Sequence, residues 1–394
     1  MIQEKLKENI EYYYKEAKEI GDYLRDHPEI SGEEENSCRF LVGFLEKAGY
    51  QVETPYGGMP HSFRAIKREK TAYTGKKAAI LCEYDALPKV GHACGHAFSC
   101  AISMLSALAM ERAFPDFPMR IDLIGTPGEE FMGGKCLMTD NGAFDEYEYA
   151  VMVHLNNRDV TYFEILASND RYFTFHGKTA HASSNPEKGL NALNAARLFM
   201  DAMDMWRQHI TKDCQFHGIV AYGGDLPNIV PDKICLDYYY RAATMGGLHE
   251  LNKISENCAR GAALATGTTV TWEQRYSDYC ELYWNDYMDE FVGEIFREAG
   301  REPKPSPGAA GSSDIGNVNQ KIPVFHPMLD VAEGRCDCVL HDQAFEKILH
   351  TDAMNQALHD GAYIICRLAY NLAFEPDVLE RIQADHKKYR KIRS

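Results

Sequence analysis

Long hydrophobic runs are missing from this sequence. No segment approaches the roughly eighteen uncharged residues that a membrane-spanning helix needs. The opening MIQEKLKENIEYYYKEAKEI reads as a charged amphipathic helix without the apolar stretch of a secretory signal. A cytoplasmic protein with no membrane partner is the expectation. An excess of positive charge is missing too: Lys and Arg total 42 against 58 for Asp and Glu, a formal charge of −16. That balance disfavours any general affinity for nucleic acid, and the short basic KKYRKIRS reads as a solvated tail. The twelve cysteines form neither a small-domain framework nor a C-x-x-C pair, so reduced thiols are expected. No fixed-period repeat is present. No G-x-S-x-G elbow surrounds Ser312 and Ser313, which leaves a serine hydrolase with little support.

What is present is an ordinary globular composition, 45% apolar and 25% charged, spread over 394 residues. That length suggests two cores rather than one. The expected fold class is α/β, a mainly parallel sheet with helices on both faces. KKAAILCEY is a strand candidate ending at Asp85, MRIDLIG one ending before TPGEE, and YAVMVHL one ending at His154. Ligands of open parallel sheets bind beyond the carboxyl ends of the strands, so these distant polar residues could converge. From Ser168 to Tyr279 the pattern changes to strand, helix, strand, strand, helix, strand, the ferredoxin-like βαββαβ order. This predicts an inserted domain over 168–279 and a discontinuous first domain over 1–167 and 280–394. EPKPSPGAAGSSD reads as a loop of the latter.

The stretch GHACGHAFSCA, residues 91 to 101, offers Cys94 and His96 as soft donors for one metal, with Gly95 letting the backbone fold tightly between them. A buried cysteine and a hydrogen-bonded histidine at a helix start would read the same way. Cys100 falls in helix-like sequence and reads as core, and His92 as a support of the loop. In TPGEE, Glu129 and Glu130 sit side by side after a strand, where one could bind a metal while the other handles a proton. A pair of acids in the first turn of a helix is the alternative.

Together EYDALP, GHACGH, GTPGEE, His154, GKTAHASSNPEKGLNAL, LPNIVPD, GSSDIGNV and VLHDQAF resemble the metal-dependent amidohydrolases and metallopeptidases of the aminoacylase and glutamate carboxypeptidase type. The resemblance is greatest to the aminobenzoyl-glutamate, hippurate and indoleacetyl-amino-acid hydrolases and the β-alanyl-lysine dipeptidase-like proteins. It runs in order from about residue 80 to 345.

The resemblance implies two divalent metals, manganese or zinc with nickel or cobalt as further options, held by Cys94, His96, Glu130, His154 and His341. It implies Glu129 as general base and Asp85 as a residue orienting a ligand. His181 would stabilise the oxyanion from the partner subunit of a homodimer, and Asn228 and Arg241 would hold the substrate. The reaction implied is attack of a metal-activated water on the amide of an N-acyl amino acid or dipeptide-like substrate, releasing a free amino acid. A surface histidine and a surface salt bridge are the plain alternatives for His181 and Arg241. Ala97 departs from the pattern, since relatives carry Asp or Asn after HACGH. Two other functions remain open at this stage: a non-catalytic metal- or ligand-binding dimer on the same fold, and a cysteine-dependent enzyme using Cys94.

Overall fold

The computed structural model describes residues 2–67, 73–309, 311–335 and 337–393. In chain order the first elements are α1 (Ile2–Asp26), α2 (Glu35–Lys47), β1 (Tyr50–Glu53), β2 (Phe63–Lys67), β3 (Lys77–Cys82), α3 (His96–Ala113), β4 (Arg120–Gly125), α4 (Gly134–Asp140), β5 (Tyr149–Val151) and β6 (His154–Asn156). Next come β7 (Ala167–His176), α5 (Ala192–Trp206), β8 (Cys214–Tyr222), β9 (Lys233–Ala242), α6 (Met245–Thr266) and β10 (Thr269–Glu273). The last are α7 (Asp286–Glu298), α8 (Ile315–Asn319), β11 (Val324–Phe325), β12 (Met328–Asp330), α9 (Gln343–Ile348), α10 (Ala353–Phe374) and α11 (Pro376–Arg393). The chain divides into two compact units, Met1–Glu164 with Leu282–Ser394, and Ile165–Glu281.

The first unit is built on a six-stranded sheet in the order β1-β2-β4-β3-β5-β11. β4, β3, β5 and β11 run parallel, while β1 and β2 add an antiparallel edge. β3 and β5 are almost wholly buried, as strands covered on both faces must be. α3 is buried on nearly every side, which fits its lack of an apolar stripe: a helix hydrophobic all round belongs in the interior. α1 and α10 cover it, and their Leu6, Ile10, Ile20, Leu358 and Ile365 join one core with Phe98, Ile102 and Leu105 of α3.

One expected strand differs. YAVMVHL does not end at His154 but breaks after Val151, and His154 opens a second short strand. β5 pairs with β11, whereas β6 pairs with β12 in a separate two-stranded ladder. Pro327 lies between β11 and β12 and has no N–H to give, so the ladder cannot run through it. The break leaves His154 and His326 where one sheet hands over to the other.

The second unit is an antiparallel four-stranded sheet in the order β10-β7-β9-β8, with α5 and α6 packed together on it. Its own core includes Phe173, Phe175, Phe199, Leu236, Tyr240 and Leu251. Both helices start on side-chain caps: Asn191 accepts from the Leu193 amide at 2.9 Å and Thr244 from the Gly247 amide at 3.1 Å. Its strand and helix order is βαββαβ.

Candidate metal centre and active site

The centre forms where β3, β4 and β6 meet the loops that follow or precede them. Gly95 sits at φ +89 between Cys94 and His96, and a Cβ there would lie 2.9 Å from the Cβ of Leu155. Only glycine therefore allows the HACGH turn to press against β6 and bring His96 beside His154. Gly134 does the same for the acidic loop, since a Cβ on it would fall 1.9 Å from the Pro127 carbonyl oxygen. α4 thus starts directly on the TPGEE loop.

Three groups of potential donors result, in each of which the ligand atoms lie within 4.8 Å of one another: Cys94, His96 and Glu130; Glu83, His96 and His154; and Glu83, Glu129 and Asp314. His341 reaches the first group from outside, its Nε2 3.2 Å from Glu130 Oε1. Its backbone stands at φ 70 and its amide donates to the Ala93 carbonyl at 2.9 Å, so a strained residue is tied to the HACGH loop. Asp85 joins the pieces. Its Oδ1 lies 2.9 Å from His96 Nδ1, its Oδ2 accepts from the Glu130 amide at 2.9 Å, and its carbonyl oxygen lies 3.6 Å from Cys94 Sγ.

These contacts prepare the donors for a cation. Nδ1 of His96 faces Asp85, and Nδ1 of His154 faces the Leu155 carbonyl at 2.7 Å, which leaves each Nε2 to offer its lone pair. His96 Nε2 and Glu83 Oε2 are buried without a hydrogen bond. Sulfur, nitrogen and oxygen donors at this spacing fit zinc or another first-row divalent ion. The group's chemistry would also settle an unfavourable charge distribution. Burial pushes the Cys94 thiol up to about 12, partly opposed by His96. Burial followed by repulsion from Glu130, Glu83 and Asp314 holds Glu129 well above the usual carboxylate range. His154 is brought down to about 4 by burial and by His96, a neutral imidazole suited to ligation. For His96 burial works against the charge, but Cys94, Asp85 and Glu83 together outweigh it and raise its pKa. A positive ion among these groups would stabilise thiolate and carboxylates and replace the proton on His96.

Ala97 is fully buried in the hydrophobic core. Cys100 is likewise core. His92 is buried beneath the loop but belongs to none of the three donor groups, and burial with His96 brings it down to about 3.

His181, Asn228 and Arg241 belong to the second unit. His181 forms a β-bridge with Ile229, and the Ala182 amide donates to the Asn228 carbonyl at 3.0 Å, which brings the two loops side by side. His181 is exposed, and its Nδ1 accepts from the amides of Ser183 at 3.3 Å and Ser184 at 3.2 Å. The proton then sits on Nε2, which points a donor outward. Arg241 lies on β9 opposite Ser168 and Gln215, half-buried, and burial lowers its pKa.

Three residues escaped the sequence reading. Glu83 is two positions before Asp85, so an extended strand end points both the same way, and that spacing was a usable signal. His326 follows a short parallel strand just as Asp85 follows another; it is buried, and its ring stands 5.7 Å from that of His154. Lys135 gave no signal, because a lysine after two glycines looks exposed. It is fully buried, with Nζ 2.6 Å from Glu83 Oε1 and 2.7 Å from Asp314 Oδ1.

A thiol, imidazoles and carboxylates converging at strand ends, with an extra acid beside them, define a metal-dependent hydrolase on an α/β unit with an inserted βαββαβ unit. The chain belongs to peptidase family M20/M25/M40, whose family model matches residues 79–371. It is 32% identical over 375 residues to the Xaa-Arg dipeptidase of Mus musculus, covering 91% of this chain and 86% of that one. It is 30% identical over 293 residues to a p-aminobenzoyl-glutamate hydrolase chain of Escherichia coli, covering 67% and 58%. Among solved structures, the YXEP protein of Bacillus subtilis, described as a dinuclear metal-binding peptidase of the M20 family, shares the fold. It has a TM-score of 0.68 at 17% identity, covering 91% of this chain and 99% of that one.

Proposed function

We propose that this metal-dependent hydrolase cleaves the amide bond of dipeptides or N-acyl amino acids and releases a free amino acid. The single observation that carries the reading is the placement of Glu129 beside two donor groups that share His96, with Glu129 Oε2 4.0 Å from His96 Nε2. Cys94, His96, Glu130, His154 and His341 would hold two divalent ions, manganese or zinc. When bound, these ions polarise the scissile carbonyl and acidify a water. Glu129, 14% exposed, accepts the water proton and delivers it to the leaving nitrogen. Asp85 keeps His96 in one orientation and fixes the Glu130 backbone. From the partner subunit of a homodimer, His181 would offer its Nε2–H to the developing oxyanion, and Asn228 and Arg241 would take the substrate carboxylate and carbonyl.

The Xaa-Arg dipeptidase and the p-aminobenzoyl-glutamate hydrolase support a substrate with an amino acid on the leaving side. A homodimer is supported by β8, an edge strand that exposes Ile219 and Val220. Cys38, Cys82, Cys94, Cys100 and Cys366 are buried free thiols, which supports a reducing, cytoplasmic setting. The test is a panel of dipeptides and N-acyl amino acids offered to metal-reconstituted protein, with free amino acid as the readout. Release from a subset of the panel, abolished by chelator, is expected. No release from any member with manganese, zinc, cobalt or nickel would overturn the reading.

A further inference from the structure

We propose that Glu83 is itself a metal ligand of this centre, binding through Oε2 the ion that His154 binds. The inference rests on the two-metal reading above and adds a donor to it. Glu83 follows β3 directly, is 1% exposed and lies between two partners of different kinds. Its Oε1 meets the Lys135 ammonium at 2.6 Å. Lys135 is in turn held by Asp314, through Nζ at 2.7 Å and through its own amide at 2.8 Å, so Glu83 is fixed from behind. Its Oε2, away from the ammonium, accepts no hydrogen bond, and a buried carboxylate oxygen left alone is costly.

What that oxygen faces is a pair of imidazoles. His96 Nε2 lies 3.3 Å away without a hydrogen bond between them, and the donor atoms of Glu83, His96 and His154 all lie within 4.8 Å of one another. Donors bonded at about 2.1 Å to one tetrahedral ion stand roughly 3.4 Å apart. The Glu83–His96 spacing is therefore that of two ligands sharing an ion. One imidazole nitrogen serves one ion, so His96 can join either set, while Cys94 and Glu130 lie in one group and Glu83 and His154 in the other.

Cobalt(II) is the probe, because its visible bands report ligand number and its thiolate band reports Cys94. Full-length protein and Glu83→Gln are compared by equilibrium dialysis, metal analysis and absorption. The expected result is that Glu83→Gln weakens one of the two ions by about 10- to 100-fold, shifting its visible bands, while the thiolate band persists. Two ions bound equally well by both proteins, with the same spectrum, would overturn the inference and leave the hydrolase reading standing. Wild-type protein that takes up no cobalt would overturn both. If Glu83→Gln does not fold, a crystal structure of the cobalt-loaded wild type decides: a Glu83 oxygen within bonding distance of an ion supports the inference, and one beyond 3.5 Å or so refutes it.

Discussion

In the first unit the chemistry-bearing side chains are sealed and interlocked: Glu83, Asp85, His96, Lys135 and Asp314 are all buried, and each touches at least one other of the set. In the second unit His181 and Asn228 are exposed, and no potential metal-binding group occurs there among the described residues. The two arrangements have different physical needs. Buried carboxylates and imidazoles hold a geometry to tenths of an ångström but require compensating charge, which Lys135 and the proposed ions supply. Exposed groups cost folding little and gain a role only from what they meet. Under the proposed function, precision at the reacting atoms would reside in the first unit, and recognition in the second.

Substitutions should separate these two kinds of residue. The largest effect is expected from Glu129→Ala, which should lower kcat by about 10³-fold or more while metal content stays unchanged, as measured by turnover and metal analysis on one sample. Retained turnover would remove the proton-transfer role. Lys135→Met should act on stability: it leaves Glu83 and Asp314 buried without their cation, a loss of roughly 3–5 kcal/mol in denaturant unfolding. An unchanged midpoint would mean that the interlocked set is not needed to hold the fold. His181→Ala should be the reverse, lowering kcat by about 10²-fold with stability and metal content intact. A metal-depleted His181→Ala protein would break the comparison. The smallest effect concerns Glu34, whose carboxylate accepts from the Gly128 amide at 2.8 Å and the Gly32 amide at 2.9 Å. Burial, with repulsion from Asp85, lifts its pKa from 4.5 to about 7. Because the folded state holds that proton more tightly, its stabilising contribution is full below about 4.5 and is lost as pH rises through about 7. Glu34→Gln should flatten the dependence of the unfolding midpoint on pH over this window, and an identical slope in both proteins would contradict the assignment.

The fold class was legible because KKAAILCEY holds the apolar run AAILC and MRIDLIG alternates apolar with charged residues, while the βαββαβ order from Ser168 onward shows clear period changes. The break at Met152 was not legible, since it arises from Pro327, between β11 and β12 and far away in sequence. The convergence of Cys94, His96, Glu130 and His154 followed from strand-end logic joined to a motif resemblance. Glu83 and His326 obeyed the same strand-end logic but belonged to no ligand motif. Lys135 was hidden for a different reason: a lysine goes fully inside only when two carboxylates wait for it, and Glu83 and Asp314 are brought to it by tertiary structure alone.

The most direct test of the central claim is a titration of metal-free protein with manganese or zinc while free amino acid release from a dipeptide is followed. Hydrolysis absent at the start and saturating at two ions per chain is the predicted result. Hydrolysis that is present without metal and indifferent to its addition would contradict the account.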